Sequence, residues 1–181
     1  MKKSLFQFIT IIPLALLLCL SFSCQKQVTE EEMKARVERD LEIINAGNLA
    51  LIDELYAPEY VSHDYATNEE RIGLDALKEM ITSLRKGFPD INVTVDEIIV
   101  MGDKTVTRQT VTGTNTGSLQ MPEGELPPTG KKIRFSGVTI SRRVNEKIVE
   151  AWVFYNTLDL VTQLGFTVTP PQPPESPEEK K

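Results

Sequence analysis

The apolar pattern changes period once along this chain. Met33, Val37, Leu41 and Ile44 recur at helical spacing behind Thr29-Glu30-Glu31-Glu32, a capping residue followed by acids in a first turn. Gly47-Asn48 stops that helix. A second, shorter helix is predicted from Leu49 to Tyr56, with Leu51, Ile52 and Leu55 inward and Pro58 at its end. Tyr60 to Tyr65 reads as a short irregular segment. A third helix is predicted from about Leu74 to Lys86, its buried face made by Leu74, Leu77, Ile81 and Leu84, closed by Gly87 and Pro89. The stripes predict that Val37, Leu41, Leu77, Ile81 and Leu84 are buried against a sheet.

After Pro89 the apolar residues alternate. Ile91, Val93 and Val95 make one strand face, and Ile98 and Val100 continue the strand after a bulge. Gly102-Asp103 turns the chain into a second strand, Thr105 to Gly113, rich in Thr and Val. Gly117 to Gly130 reads as a long loop with three prolines. Lys131 to Val144 and Lys147 to Asn156 are two more strands joined at Asn145-Glu146, and Thr157 to Leu164 is a short closing helix. Helices first and strands afterwards indicate an α+β fold, with amphipathic helices laid over one face of a curved sheet. Such a sheet leaves a cone with an open mouth, a common site for small ligands.

Alternation on the last strand puts Ile148, Glu150, Trp152, Phe154 and Asn156 on one face, and Val149, Ala151, Val153 and Tyr155 on the other. The first set mixes apolar bulk with a carboxylate, an indole and an amide. An unpartnered polar group is costly in a core, so the set fits either a lined pocket or an ion pair of Glu150 with Arg108 or Arg142. His63, the only histidine, sits in Ser62-His63-Asp64. It suits a general base near neutral pH and equally a hydrogen-bonded structural role. Arg108 can anchor an anionic or carbonyl ligand, or pair with Glu150.

Composition narrows the classes. The net charge of −6 and the lack of a basic patch with interleaved aromatics argue against nucleic acid as a partner. One histidine and two cysteines, both near the amino end, leave no metal-ligand cluster, and there is no phosphate loop, dinucleotide fingerprint or nucleophile elbow.

The segments Gly47-Asn48-Leu49, Leu55 to Asp64, Gly73-Leu74-Asp75-Ala76-Leu77, Phe88-Pro89-Asp90, Thr112 to Gly117, Pro127 to Lys131 and Gln163-Leu164-Gly165 stand in an order that resembles the SnoaL-like polyketide cyclase and ester cyclase family, over nearly all of Glu31 to Gly165. The resemblance implies an NTF2-like cone, with three amino-terminal helices on a strongly curved antiparallel or mixed sheet and a short carboxy-terminal helix. It implies a domain over residues 31–166, often dimeric through the outer sheet face. It implies ring closure by an intramolecular aldol reaction without metal or cofactor, on a small apolar or carbonyl-bearing molecule. The family's acid/base aspartate falls on Asn156, and the common histidine of Thr-x-Thr-Gly falls on Asn115. His63 and Trp152 match the pattern. The expected site is therefore His63 and Asn156 as reacting groups in cofactor-independent acid/base chemistry of an aldol, isomerase or hydrolase-like kind, with Tyr60, Arg108, Glu150 and Trp152 lining the ligand. Because an amide does not exchange protons as a carboxylate does, the alternative is a non-catalytic ligand-binding or dimerisation module.

Lys2-Lys3, the apolar run from Leu5 to Leu20 and Ser21-Phe22-Ser23-Cys24 describe a secretory signal over residues 1–23 ending in a lipobox. Cys19 is the poorer candidate, since Leu18 is too bulky for the cleavage position. Cleavage before Cys24 leaves 158 residues without a free thiol, and a polar tether over residues 24–30. The expected location is the bacterial cell envelope, anchored by lipid at Cys24. Residues 167–181, Pro-, Glu- and Lys-rich, are expected to be disordered. Cys24→Ser should release the protein from the membrane fraction; unchanged partition would sink the anchor.

Overall fold

A computed structural model describes residues 29–121 and 124–167. The leader, Cys24 and the tail from Pro170 lie outside the described residues. Helix α1, Glu30–Asn45, begins in a capping box: the Glu32 amide donates to the Thr29 hydroxyl at 3.1 Å, and the Thr29 amide to the Glu32 carboxylate at 3.0 Å. Helix α2 is Ala50–Leu55, β1 Tyr56–Asp64, β2 Glu69–Ile72 and α3 Gly73–Gly87. Then come β3 Asn92–Met101, β4 Lys104–Thr114, β5 Leu119–Met121, β6 Gly124–Leu126, β7 Lys132–Val144, β8 Lys147–Tyr155 and α4 Thr157–Gln163. Among the described residues no helix is long and apolar enough to cross a membrane.

The main sheet has the order β2-β1-β8-β7-β4-β3. Every pairing is antiparallel except β1 with β8, which is parallel, so the sheet is mixed. This corrects the expected irregular segment at Tyr60 to Tyr65, most of which is strand. Its pairing with β8 starts with Tyr56 opposite Ile148, far ahead in sequence, so no local pattern announces it. Pro58 lies within that strand, close to a register irregularity. The Gly117 to Gly130 loop contains the small β5–β6 hairpin.

The sheet bends at register shifts. One lies between Val95 and Glu97 of β3, as the alternation predicted, and another sits where Arg142 faces Glu150 and Arg143 faces Ile148. The helices cover the inner face. Arg85 of α3 ties them together, donating from Nη1 to the carbonyls of Ile44 at 2.6 Å and Asn45 at 2.9 Å, at the end of α1. Gly47 lets the arginine pass: its φ is +70°, and a Cβ there would stand 2.8 Å from Arg85 Nε. The Asn45 side chain bonds both the N–H and C=O of Val93, docking α1 on edge strand β3.

Val37, Leu77 and Ile81 are buried as expected, but Leu41 and Leu84 are only half-buried. All five border an internal cavity, and Leu41 and Leu84 pack only partly against the cluster around Phe88 and Ile133. Leu77→Ala should therefore cost about 2–5 kcal/mol. Leu41→Ala should cost roughly 1–2 kcal/mol, because that side chain is only half-buried and has less apolar surface to lose. Equal losses at the two positions in denaturant unfolding would refute this division.

Candidate ligand cavity

The cavity measures about 620 Å³, within the size range of small-molecule sites. It lies between α1, α3 and the inner face of the sheet. Leu41, Leu84, Phe88, Val93, Val111 and Phe135 supply apolar wall. Hydroxyl and amide groups come from Ser62, Thr107, Gln109 and Thr139. Much of that polarity is spent internally: Thr107 Oγ1 donates to the Thr139 carbonyl at 3.2 Å, and Gln109 Nε2 to Thr139 Oγ1 at 3.2 Å.

Two charged groupings reach the lining. Asp64, Glu69 and Arg71 form one. Asp64 Oδ1 accepts from the amides of Ala66 at 2.9 Å and Thr67 at 3.2 Å, and Arg71 pairs with both carboxylates. The other is Asp40 of α1 with Arg143 of β7, joined Oδ2 to Nη2 and nearly closed to solvent. Burial pushes the Asp40 carboxyl from its ordinary 3.8 up to about 6, against the pull of Arg143, Arg36 and Arg39. Asp40 Oδ1 and Arg143 Nε have no hydrogen-bond partner among the described residues. Burial also raises the phenol pKa of Tyr56 and of Tyr60, and takes that of Tyr155 up to about 12, so all three are donors at physiological pH.

Tyr60, among the residues expected at the site, lines this cavity. His63, Glu150 and Trp152 are brought together, but on the outer face of the sheet. The His63 ring stacks on Trp152 with centroids 5.8 Å apart. Its Nε2 lies 3.1 Å from Glu150 Oε1, and its Nδ1 3.1 Å from Glu70 Oε2. Arg142 donates to Glu150 Oε2 from Nε at 3.0 Å and Nη2 at 2.9 Å. Partial burial would raise the Glu150 pKa; the hydrogen bonds from Arg142 and His63 outweigh it and hold the carboxyl below its usual value. Of the two arginines weighed for Glu150, Arg142 is the partner. Arg108 is exposed and pairs with Asp96 at 3.1 Å and Glu97 at 3.3 Å.

The shared pocket face of Ile148, Glu150, Trp152 and Asn156 thus requires correction. The shift between Ile148 and Glu150 inserts Val149 as an extra residue and reverses the alternation. Ile148, Ala151, Val153 and Tyr155 line the cavity, while Glu150 and Trp152 turn outward. Asn156 is exposed, its Oδ1 accepting from the Asp159 amide at 3.0 Å as the cap of α4. Asp40 and Arg143 were not anticipated. A signal existed: Asp40 lies three residues after Val37 and four before Ile44, inside the apolar stripe. Among the described residues no group of three or more His, Cys, Asp or Glu is placed to hold a metal ion.

The helices on a curved mixed sheet around a cavity define an NTF2-like cone. The family model for SnoaL-like polyketide cyclase matches residues 34–164, and the chain belongs to that family. Among solved structures, it is similar to AclR of Streptomyces galilaeus, a proposed hydroxylase, at 26% identity and TM-score 0.65, covering 80% of this chain and 87% of that one. It is also similar to IdmH of Streptomyces antibioticus, a proposed polyketide cyclase, at 26% identity and TM-score 0.62, covering 74% and 98%. A Catenulispora acidiphila protein with a ketosteroid isomerase-like fold, 17% identical at TM-score 0.62 and covering 75% of this chain and 97% of that one, shares the fold. No curated protein matches the chain.

Asp40 sets a pH dependence. Unfolded it titrates near 3.8 and folded at about 6, so the folded state binds the proton more tightly. Its contribution is fully present below about pH 4 and is lost as pH rises through 6, by about 3 kcal/mol in all. Asp40→Asn removes this titration, so the variant's Tm should gain on wild type across that window. A Tm difference constant from about pH 4 to 7 would remove Asp40 from the titrating groups.

Proposed function

We propose that this SnoaL-like protein is an exported lipoprotein, anchored at Cys24, that takes a small, largely apolar, carbonyl-bearing molecule into the cone and moves a proton on it without a cofactor. Asp40 carries the reading. It is a carboxyl in a mainly apolar cavity, and its pKa of about 6 suits both taking and returning a proton near neutral pH. The similarity to IdmH supports a carbonyl-bearing ligand. His63 is not the base in this reading, because Glu150 and Glu70 occupy both ring nitrogens on the outer face. A homodimer through that outer face accords with exposed Ile99, Met101 and Phe154.

The second reading is a binding module without turnover. Asn156, at the family's acid/base position, favours it, because it caps α4 away from the cavity. Exchange of the α-protons of 1-tetralone in D2O, followed by proton NMR, separates the two. Proton transfer predicts exchange faster than in buffer, lowered on the order of a hundredfold in Asp40→Asn and little changed in His63→Ala. Binding of 1-tetralone with exchange at the buffer rate would leave the binding module.

A further inference from the structure

We propose that Asp40 and Arg143 form a recognition site for one hydroxyl group, a phenol or an enol, carried by an otherwise apolar ring system. The inference rests on the cavity being a ligand site, and adds what the ligand must present there.

The pair is incompletely matched. Arg143 uses Nη2 on Asp40 Oδ2 and Nη1 on the Glu146 carbonyl at 3.2 Å. Two buried atoms, Arg143 Nε and Asp40 Oδ1, remain without partners among the described residues, on two groups already in contact. The Arg143 side chain is 8% exposed and that of Asp40 14%, and both border the cavity. Leaving a buried donor or acceptor unmatched is costly, and a buried ion pair is itself poor value for stability.

The unmatched atoms specify a chemistry. A hydroxyl can accept from Nε–H and donate to Oδ1 at once. A carbonyl can only accept, so it would leave Oδ1 unmatched. An ammonium can only donate, so it would leave Nε unmatched. A carboxylate would bring a second negative charge against Asp40. Both atoms lie beneath the surface of the pair. A hydroxyl entering there requires both side chains to shift, and the Asp40 carboxyl can turn about Cβ–Cγ, a torsion with a broad well. Away from the pair, Leu41, Ile44 and Phe135 offer apolar contact for the remaining ring system.

Other charges near the pair do not alter this choice. Arg36 and Arg39 on α1 favour ionised Asp40, and Tyr56 is a neutral neighbour. A water molecule could satisfy the same two atoms, so the test must compare ligands with and without the hydroxyl.

2-Naphthol and 2-methylnaphthalene are such a pair, nearly equal in shape, and binding of each to the full chain can be followed by fluorescence titration. The hydrophobic effect alone favours the methyl compound. Recognition predicts the reverse, with 2-naphthol tighter by about tenfold or more. Asp40→Leu and Arg143→Met should each bring the ratio to one or below, leaving the affinity for 2-methylnaphthalene within about threefold. Should a variant fail to fold, the wild-type ratio still decides. Binding of both probes without preference for 2-naphthol overturns the recognition site and leaves the cavity reading intact. A preference that survives both substitutions places the hydroxyl elsewhere and also overturns it. Failure of both probes to bind sinks the cavity reading, and this inference with it.

Discussion

One extra residue in β8 governs how this sheet divides its chemistry. Arg142 and Arg143 are neighbours in sequence, and strand alternation sends them to opposite faces. The partner strand should then place Ile148 and Glu150 on the same face. Val149 breaks that rule by standing between the pairings Arg143 with Ile148 and Arg142 with Glu150. Ile148 can therefore join the inner core while Glu150 meets Arg142 outside. Without the bulge, either Glu150 would enter the cavity or Ile148 would be expelled from the core. The same shift adds to the bend of the sheet over α1.

The two faces carry similar residues with different energetic weight. Outside, Glu150 has Arg142 and His63, and water reaches all three; such pairs contribute little, about 0–1 kcal/mol. Inside, Asp40 and Arg143 are shielded, and the Asp40 pKa is raised even though a guanidinium touches it. Desolvation wins over attraction there, the usual result when a pair is buried with unmatched atoms. Large stabilisation must come from elsewhere, chiefly from the apolar clusters around Ile52 and Ile81 and around Phe88 and Ile133.

Helix existence was legible because Met33, Val37, Leu77 and Ile81 recur at a period that only a helix brings to one side. The third to sixth strands of the main sheet, and the bulge in β3, were legible from alternation. Strand β1 was not, because its sequence, with Pro58 inside, has no clear period and its partner lies some ninety residues on. The grouping of Glu150, Trp152 and His63 was partly legible, since all three share a face; which face it was depended on Val149. A bulge in a run such as Ile148-Val149 leaves no mark, because both residues suit either side. Asp40 was written in the helical stripe, yet its significance depends on Arg143, more than a hundred residues away.

The two asparagines at family positions are explained unequally. Asn115 is 1% exposed, and its amide donates to the carbonyls of Gly87 at 3.2 Å and Gly117 at 2.8 Å. Its oxygen accepts from the Thr129 amide at 2.8 Å and hydroxyl at 3.0 Å. Two donors and two acceptors are what an amide has and an imidazole lacks, so the loop itself requires asparagine. At Asn156 the helix cap makes no such demand, since aspartate caps as well as asparagine. Capping therefore does not account for the amide. It does fix where a carboxylate would point: Oδ1 faces the Asp159 amide, outside the cavity. A carboxylate restored there would serve α4 in this geometry, and would stand away from a molecule held beside Asp40.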